Sequence, residues 1–169
     1  MPGPIDAPQP VTPQQLGALL DCHGAPLAVY AAQWTRHAED CVQEAFVELA
    51  RLGEAPANPP AWLYRVVRHR ALNAGRAERR RTNHEHAAAS GRGPQRSHAA
   101  WTGALEIADA LSALDPLGRE IVVLRVWGQL SWQDIADVIH RSTSSAQRDY
   151  ITALEKLRQL WEPDLCPLK

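Results

Sequence analysis

The feature of this sequence that most constrains its fold is the spacing of its large apolar residues. They recur every three or four positions, most clearly over residues 38–49, and this is the period of one face of an amphipathic helix. Residues 105–162 show the same spacing, and no segment alternates apolar and polar residues over the length of a strand. The spacing therefore predicts an all-α protein with two small helical domains joined by a flexible linker.

The domain boundaries follow from two stretches that are poor in apolar surface. The first stretch has four prolines, and the only large apolar residue of the second is Trp101, so neither can bury enough surface to offset the entropy of ordering the chain. We predict a disordered tail over residues 1–11, a first domain over 12–81, a linker over 82–104, a second domain over 105–162 and a tail over 163–169.

Capping signals mark the helix starts. Thr12 and Gln15 have the spacing of a capping box, and the helix that they begin is expected to end at Gly24, before a short helix over residues 25–34. In the second domain, Ser131 caps one helix and Ser142 or Thr143 caps a longer one after a brief break at His140-Arg141. Two capped helices separated by a short turn are typical of a helix-turn-helix.

The charge is distributed unevenly, although the formal net charge of the whole chain is only −1. Residues 1–50 carry a net charge of −5, residues 51–81 carry +6 from eight arginines, and residues 105–169 carry −3. Arginine suits bidentate contacts to phosphates and base edges. The pattern favours a nucleic-acid contact in the second block, while a solvated helix face with a basic end stays open as the alternative.

Several functional classes lack their signature motifs. There is no P-loop, dinucleotide-binding turn, HExxH or GxSxG motif, so we expect no enzyme. The three cysteines form no CxxC pair, and His84-x-His86 supplies two ligands where a zinc site needs more, so we expect no metal or cofactor. No apolar run is long enough to span a membrane and no secretory signal opens the chain, which predicts a cytoplasmic protein.

Several motifs resemble those of the extracytoplasmic-function (ECF) sigma factors of bacterial RNA polymerase. Residues 37–46, HAEDCVQEAF, are similar to the family signature DAEDxVQExF, and residues 58–68, NPPAWLYRVVR, followed by an arginine cluster, resemble the segment after it. Leu114-Asp-Pro, with Arg119-Glu, Leu124-Arg125 and the later Leu-Ser-Trp-Gln-Asp-Ile-Ala of residues 130–136, resembles the second conserved domain.

The resemblance implies that one acidic helix binds core RNA polymerase. The residues that it assigns to this contact are Asp40, Gln43 and Glu44. Exposed acids on a helix whose other face is packed suit a basic partner helix. A solvated acidic face is the alternative.

The resemblance also implies two promoter contacts. The loop of residues 53–60 and the helix after it are assigned to the −10 element, through Asn58, Arg65, Arg68, His69, Asn73, Arg76, Arg79 and Arg80. The helix-turn-helix is assigned to the −35 element, through Arg119, Ser144, Ser145, Gln147, Arg148 and Thr152. Trp62 either belongs to the core or stacks on a base, and Arg125 contacts either phosphate or an internal acid such as Glu120.

Two positions stand out against the family pattern or the local structure. His140 occupies a turn position where many relatives carry glycine, so we expect an unusual backbone there. Gly75 lies in mid-helix, which predicts a bend or a close approach to DNA.

The resulting hypothesis is a sigma factor that binds core polymerase, recognises both promoter elements and helps to melt DNA. An alternative is a sigma-like interaction protein that binds polymerase or a regulator without recognising promoters. A dimeric helix-turn-helix repressor is the third reading, but it would not need the acidic surface. The resemblance further implies an anti-sigma factor as a partner, on a face that the sequence does not mark.

Overall fold

The computed structural model describes residues 9–86 and 110–161. Its helices are α1 (Pro13–Ala31), α2 (Ala38–Arg51), α3 (Pro59–His86), α4 (Pro116–Val126), α5 (Trp132–Ile139) and α6 (Thr143–Trp161). No strand occurs within these residues, and the predicted all-α class is confirmed. The chain divides into two compact units, with α1–α3 in the first and α4–α6 in the second.

In the first unit, each of the three helices packs against both others. The apolar residues expected on one face of α2 over residues 38–49 are all buried. Tyr30 of α1 and Tyr64 of α3 meet edge to face, with ring centroids 5.2 Å apart, and neither has exposed surface. Burying a large apolar side chain stabilises a fold by about 1.5–3 kcal/mol, so this core fixes the outer faces of α2 and α3 relative to each other.

Helix α1 is one continuous helix, which corrects the predicted end at Gly24 and the separate helix over residues 25–34. Its start is as expected, with a capping box at Thr12. The helix then runs through Gly24 and Pro26, although a proline lacks the N–H for one helical hydrogen bond. The last turns of α1 are buried, including Tyr30, and this packing outweighs the local signals for a break.

Helix α3 differs from its prediction in its buried stripe and in its length. The spacing of Trp62, Leu63, Val66, Val67 and Leu72 predicts one apolar stripe along this helix. Its fully buried large side chains are Leu63, Tyr64 and Val67, whereas Trp62, Val66 and Leu72 are only partly buried. The helix also continues to His86, through the first five residues of the predicted linker, because no glycine or proline interrupts residues 76–86. The rest of that linker, to residue 104, lies outside the described residues, as do the tails over 1–8 and 163–169.

The second unit packs α4, α5 and α6 against one another around Ile121, Leu124 and Ile135, none of which is exposed. Ser131 and Asp134 form a capping box at the start of α5, and Ser142 accepts a hydrogen bond from the Ser145 amide at the start of α6. The three-residue connection between α5 and α6 completes the expected helix-turn-helix.

Candidate functional site

The outward side of α2 carries the three residues that the sequence assigned to a partner. Asp40, Gln43 and Glu44 are all exposed, and their spacing of three and four places them on one side of the helix. The opposite side is packed in the core. We call these three residues the acidic face of α2, which is a rigid surface because its helix is anchored from behind.

Arg70 of α3 organises this face, a role that the sequence pattern did not indicate. Its Nη1 is ion-paired with Glu44, and its Nη2 lies 2.5 Å from Glu48 Oε2. The hydrogen bond with Glu48 is the main cause that raises the pKa of Arg70 above its ordinary value. Arg70 therefore connects α3 to two acids of α2. In the sequence, Arg70 is one of several arginines in the same stretch, and the sequence alone does not show which of them faces an acid.

A second polar cluster fixes the start of α2. Thr35 is 5% exposed and its hydroxyl donates to Glu78 of α3. The same hydroxyl oxygen accepts from the His37 amide at 3.1 Å, and the His37 ring lies 3.6 Å from Asp40 and 3.9 Å from Glu78. The cluster joins residues 43 positions apart in sequence, which is why local spacing could not predict it.

The exposed side of α3 is basic. At about 100° per residue, one side of the helix collects five of the predicted contacts. This basic face of α3 consists of Arg65, His69, Asn73, Arg76 and Arg80, all of which are exposed. Arg79 is exposed beside it and Arg68 is partly buried at its edge. Seven predicted residues thus fall on one surface, away from the core residues of the same helix.

Two polar side chains of the basic face contact each other. Asn73 Nδ2 lies 3.2 Å from His69 Nε2 and 3.5 Å from Nδ1 of the same ring, so the amide lies against the imidazole. The pair keeps the amide oxygen of Asn73 oriented while leaving it able to accept from a ligand. Trp62 is partly buried and lies toward this side of α3, so both of its readings, as a core residue and as a stacking surface, stay open.

The loop over residues 52–58 precedes α3 and borders a hollow. Asn58 Oδ1 accepts from the Ala61 amide at 3.2 Å, so this predicted contact residue also caps the helix. The hollow lies between the loop and the first half of α1, and its lining is largely apolar. The lining residues are Val11, Gln15, Ala18, Leu19, Cys22, His23, Ala55, Pro59 and Pro60.

In the second unit, the predicted contacts on α6 lie at its first turns. Ser144, Gln147, Arg148 and Thr152 are exposed, and Ser145 is partly buried. Arg148 Nη2 lies 3.3 Å from Ser145 Oγ, and Thr152 donates its hydroxyl to the Arg148 carbonyl at 3.1 Å. The N-terminal residues of the second helix of a helix-turn-helix are those that reach base edges.

The turn before α6 has the unusual backbone that the sequence led us to expect. His140 adopts φ 57° and ψ 50°, the left-handed region. The Arg141 amide donates to the Ala136 carbonyl at 2.9 Å, which closes the end of α5. The non-glycine residue is thus accommodated by a helix cap of ordinary form.

Arg119 is committed to the backbone of its own unit. Its Nε donates to the Leu111 carbonyl at 2.7 Å, and Nη2 donates to the carbonyls of Ser112 and Leu114 at 3.1 Å each. These bonds hold the segment before α4. The structure gives Arg119 a structural role that the prediction of a −35 contact had not included.

Arg125 has internal partners, but neither of them is the acid that one of its two readings required. Its Nη1 donates to the Leu130 carbonyl at 2.7 Å, and its guanidinium lies 4.7 Å from the centre of the Trp132 ring. The internal partners are therefore a carbonyl and an aromatic face, not an acid such as Glu120. One partner, Leu130, lies in the turn between α4 and α5, and the other, Trp132, begins α5.

Two kinds of feature are absent from residues 9–86 and 110–161. No group of three or more metal-ligating side chains occurs among them. None of the helices in these ranges is both long enough and apolar enough to cross a membrane.

Comparison with known families and structures bears on both units. The family model Sigma-70 region 2 matches residues 20–81, and the model Sigma-70, region 4 matches residues 104–157. Together the two ranges cover more than half of the chain. A search of curated proteins found no match.

Two solved structures share the fold. One is CnrH in complex with the cytosolic domain of CnrY, with a TM-score of 0.59 and 24% identity over 90% of this chain and 91% of that one. The other is the sigma factor RpoE in complex with the anti-sigma factor NepR from Bartonella quintana, with a TM-score of 0.65 and 21% identity over 90% and 99% of the two chains.

Proposed function

Because the chain belongs to the sigma-70 family, as an ECF sigma factor built from regions 2 and 4, we propose how its two units divide the work of initiation. The first unit binds core RNA polymerase through the acidic face of α2 and takes the −10 element on the basic face of α3. The second unit reads the −35 element through the start of α6. The observation that carries this proposal is the pair of oppositely charged, exposed faces on two helices that share one core.

Polymerase binding rests on Asp40, Gln43 and Glu44. Carboxylates that accept from a cationic partner make stronger hydrogen bonds than neutral groups do. The pair with Arg70 leaves Glu44 exposed, so its carboxylate stays accessible to a basic partner helix. Complementary charge also speeds the encounter between the two proteins.

Promoter melting rests on α3 and the loop over residues 52–58. Removing a base from the stack costs a few kcal/mol unless a protein surface receives it. The arginines of the basic face neutralise phosphates of the separated strand, and the partly exposed Trp62 offers an aromatic surface on which a base can stack. Asn73, oriented by His69, supplies a polar group that can distinguish one base from another.

The −35 contact is carried by Ser144, Ser145, Gln147, Arg148 and Thr152. A helix of this kind lies in the major groove with its first turns against the base edges. Because Arg119 is bound to three carbonyls of its own unit, we assign the phosphate contacts of this unit to α6 and keep Arg119 as a support for the segment before α4.

The alternative of a sigma-like interaction protein is favoured by one observation in the second unit. Both guanidinium groups of α4 are engaged within the unit, and residues 105–169 carry a net charge of −3. Such a unit binds free DNA weakly. We propose that it contributes to promoter recognition only when core polymerase holds the first unit on the DNA.

We further propose a protein regulator as a partner, since both similar structures are complexes, one of them with an anti-sigma factor. The site of action is the cytoplasm, where the polymerase works. The sigma-70 family is not a family of enzymes, and we propose that this chain acts through the catalytic centre of the polymerase and has none of its own.

The test is run-off transcription with core polymerase and this chain on a promoter library. We expect transcripts from core polymerase plus the chain that core polymerase alone does not make. The joint variant Gln43→Ala, Glu44→Ala should lose this activity, while Asp21→Ala, which removes an exposed acid of α1, should keep it. Full activity of the joint variant would refute the polymerase contact, and absence of any chain-dependent transcript would favour the alternative.

A further inference from the structure

We propose that the segment Gln9–Leu19 holds the loop over residues 52–58 in position against the −10 element, so that residues preceding the matched region 2 take part in promoter opening. The inference deepens the proposed function and rests on it. It concerns positioning residues, because the segment acts through the loop and does not itself contact DNA.

A backbone hydrogen bond joins the segment to the middle of the loop. The Ala55 amide donates to the Gln9 carbonyl at 2.8 Å. The two ends of the loop are fixed separately, by the Leu52 amide donating to the Leu49 carbonyl at 3.2 Å and by the cap at Asn58. The bond at Ala55 is therefore placed where a loop of this length would otherwise bend most freely.

Side chains of the segment and of the loop region also line the same hollow. Val11 and Leu19 line the hollow from the side of α1, and Ala55, Pro59 and Pro60 line it from the side of the loop. The two prolines have fixed φ angles, so the loop side of the hollow is stiff. The segment and the loop therefore border the same apolar hollow.

A capping box fixes the direction in which the segment enters α1. Thr12 accepts from the Gln15 amide at 3.2 Å, and the Gln15 side chain accepts from the Thr12 amide at 2.9 Å. This reciprocal cap fixes the entry of the chain into α1. The carbonyl of Gln9, three residues before Thr12, is thereby held close to where the loop needs an acceptor.

The chemistry of the segment separates its role from DNA binding. Residues 9–19 contain no charged side chain, so they add nothing to the attraction of phosphates. The family model for region 2 begins at residue 20, so the segment lies outside the part of the chain that the match covers. Its contribution is to the geometry of the loop.

The experiment compares two truncations of the otherwise complete chain, each beginning with a new methionine. One lacks residues 1–8 and keeps Gln9, and the other lacks residues 1–10 and has lost that carbonyl. Both keep the cap at Thr12. Hydrogen exchange of the Ala55 amide, measured by NMR, reports the contact directly. Run-off transcription with core polymerase is measured on a duplex promoter and on the same promoter with its −10 region already unpaired.

We expect the shorter truncation to behave like the full chain. In the longer truncation the Ala55 amide should exchange about tenfold faster, as for loss of one neutral hydrogen bond. Initiation on the duplex should fall by about the same factor, with a smaller loss on the unpaired template and unchanged affinity for core polymerase. Ala55→Pro in the full chain removes the donor instead of the acceptor and should reproduce the transcription defect.

Equal amide exchange and equal initiation in the two truncations would overturn the inference and leave the proposed function intact. An equal loss on the duplex and unpaired templates would also overturn it, because the segment would then act on something other than opening. If the full-length chain directs no initiation at all, the proposed function fails, and the role of the segment in promoter opening fails with it.

Discussion

At Gly75 even a methyl group would overlap the backbone of the turn after α1. A Cβ built on this residue would lie 2.2 Å from the Trp34 carbonyl oxygen. The sequence suggested a bend or an approach to DNA, and the structure shows that the missing side chain serves packing inside the first unit. Such a contact depends on a residue 41 positions away, which the spacing around Gly75 cannot reveal.

We predict that Gly75→Ala lowers the free energy of unfolding by about 1–3 kcal/mol, the usual cost of overpacking, despite the better helix propensity of alanine. Gly17→Ala is the matched control, since a Cβ there meets nothing within 4 Å. The control should raise stability by up to about 1 kcal/mol. Urea unfolding of both variants measures this, and stabilisation by both substitutions would contradict the packing role of Gly75.

For Arg70 we predict a measurable coupling with Glu48. The side chains are 31% and 44% exposed, and pairs of this kind contribute about 0.2–1 kcal/mol. A double-mutant cycle of Arg70→Ala with Glu48→Gln should give a coupling energy in that range, reduced at high salt. The exposed Arg81→Ala with Glu48→Gln is the control and should show none. Equal coupling energies in the two cycles would contradict a specific contact between Arg70 and α2.

At the scale of the elements, the period of the apolar residues predicted α2 almost in full. It predicted α1 and α3 less well. The helix-breaking signals at Gly24 and Pro26 are local, whereas the burial of Tyr30, which keeps α1 continuous, depends on tertiary packing. The position of Trp62 at the side of the buried stripe likewise depends on how α3 is rotated against α1 and α2. The spacing of apolar residues predicts that a helix has one buried side, but it does not predict how α3 is rotated about its axis against α1 and α2.

The basic face of α3 gives a prediction for DNA affinity. Replacing Arg65 and Arg76 by alanine should weaken binding of the polymerase complex to promoter DNA. It should also lower the slope of log affinity against log salt by roughly one unit per lost phosphate contact. Arg81→Ala, exposed on another side of the same helix, should change neither. Arg81→Ala removes one charge where the test variant removes two, so a salt slope reduced half as much by Arg81→Ala would show that only net charge matters and that the face has no specific role.

The start of α4 gives a prediction for pH dependence. Asp115 accepts from the Gly118 amide at 3.2 Å and pairs with Lys156 of α6 at 3.4 Å. Burial alone would raise the pKa of Asp115, but these two partners outweigh it and hold the pKa below its ordinary value of 3.8. A carboxylate whose pKa is lower in the folded state stabilises the fold above its unfolded pKa and loses that contribution as the pH falls.

Asp115→Asn keeps the cap but loses the ion pair with Lys156, so it should lower the stability of the second unit at pH 7 by about 0.2–1 kcal/mol. The difference from the unsubstituted chain should shrink as the pH falls below about 4, where the carboxyl group becomes protonated. Thermal unfolding from pH 7 to pH 2 measures it, with Glu155→Gln on α6 as the control. A difference that stays constant over this range would contradict the ionic role of Asp115.

At the scale of the whole molecule, the near-zero net charge reflects opposed faces carried by neighbouring helices. The motif around Asp40 and Glu44 and the arginine run were both visible in the sequence, so the two candidate surfaces could be predicted. What could not be predicted is which charged residues turn inward. Arg70 and Arg119 carry the same side chain as their neighbours, yet one binds acids of α2 and the other binds backbone carbonyls. Those partners are brought together only by the fold.

The most direct test of this account measures two affinities for the same two variants. The first is the affinity for core polymerase, and the second is the affinity of the assembled complex for promoter DNA at fixed salt. Gln43→Ala with Glu44→Ala should weaken the first by at least about tenfold and leave the second unchanged once the complex is assembled. Arg65→Ala with Arg76→Ala should do the reverse. If both variants weaken both affinities to the same extent, α2 and α3 do not carry separate functions and the central claim is wrong.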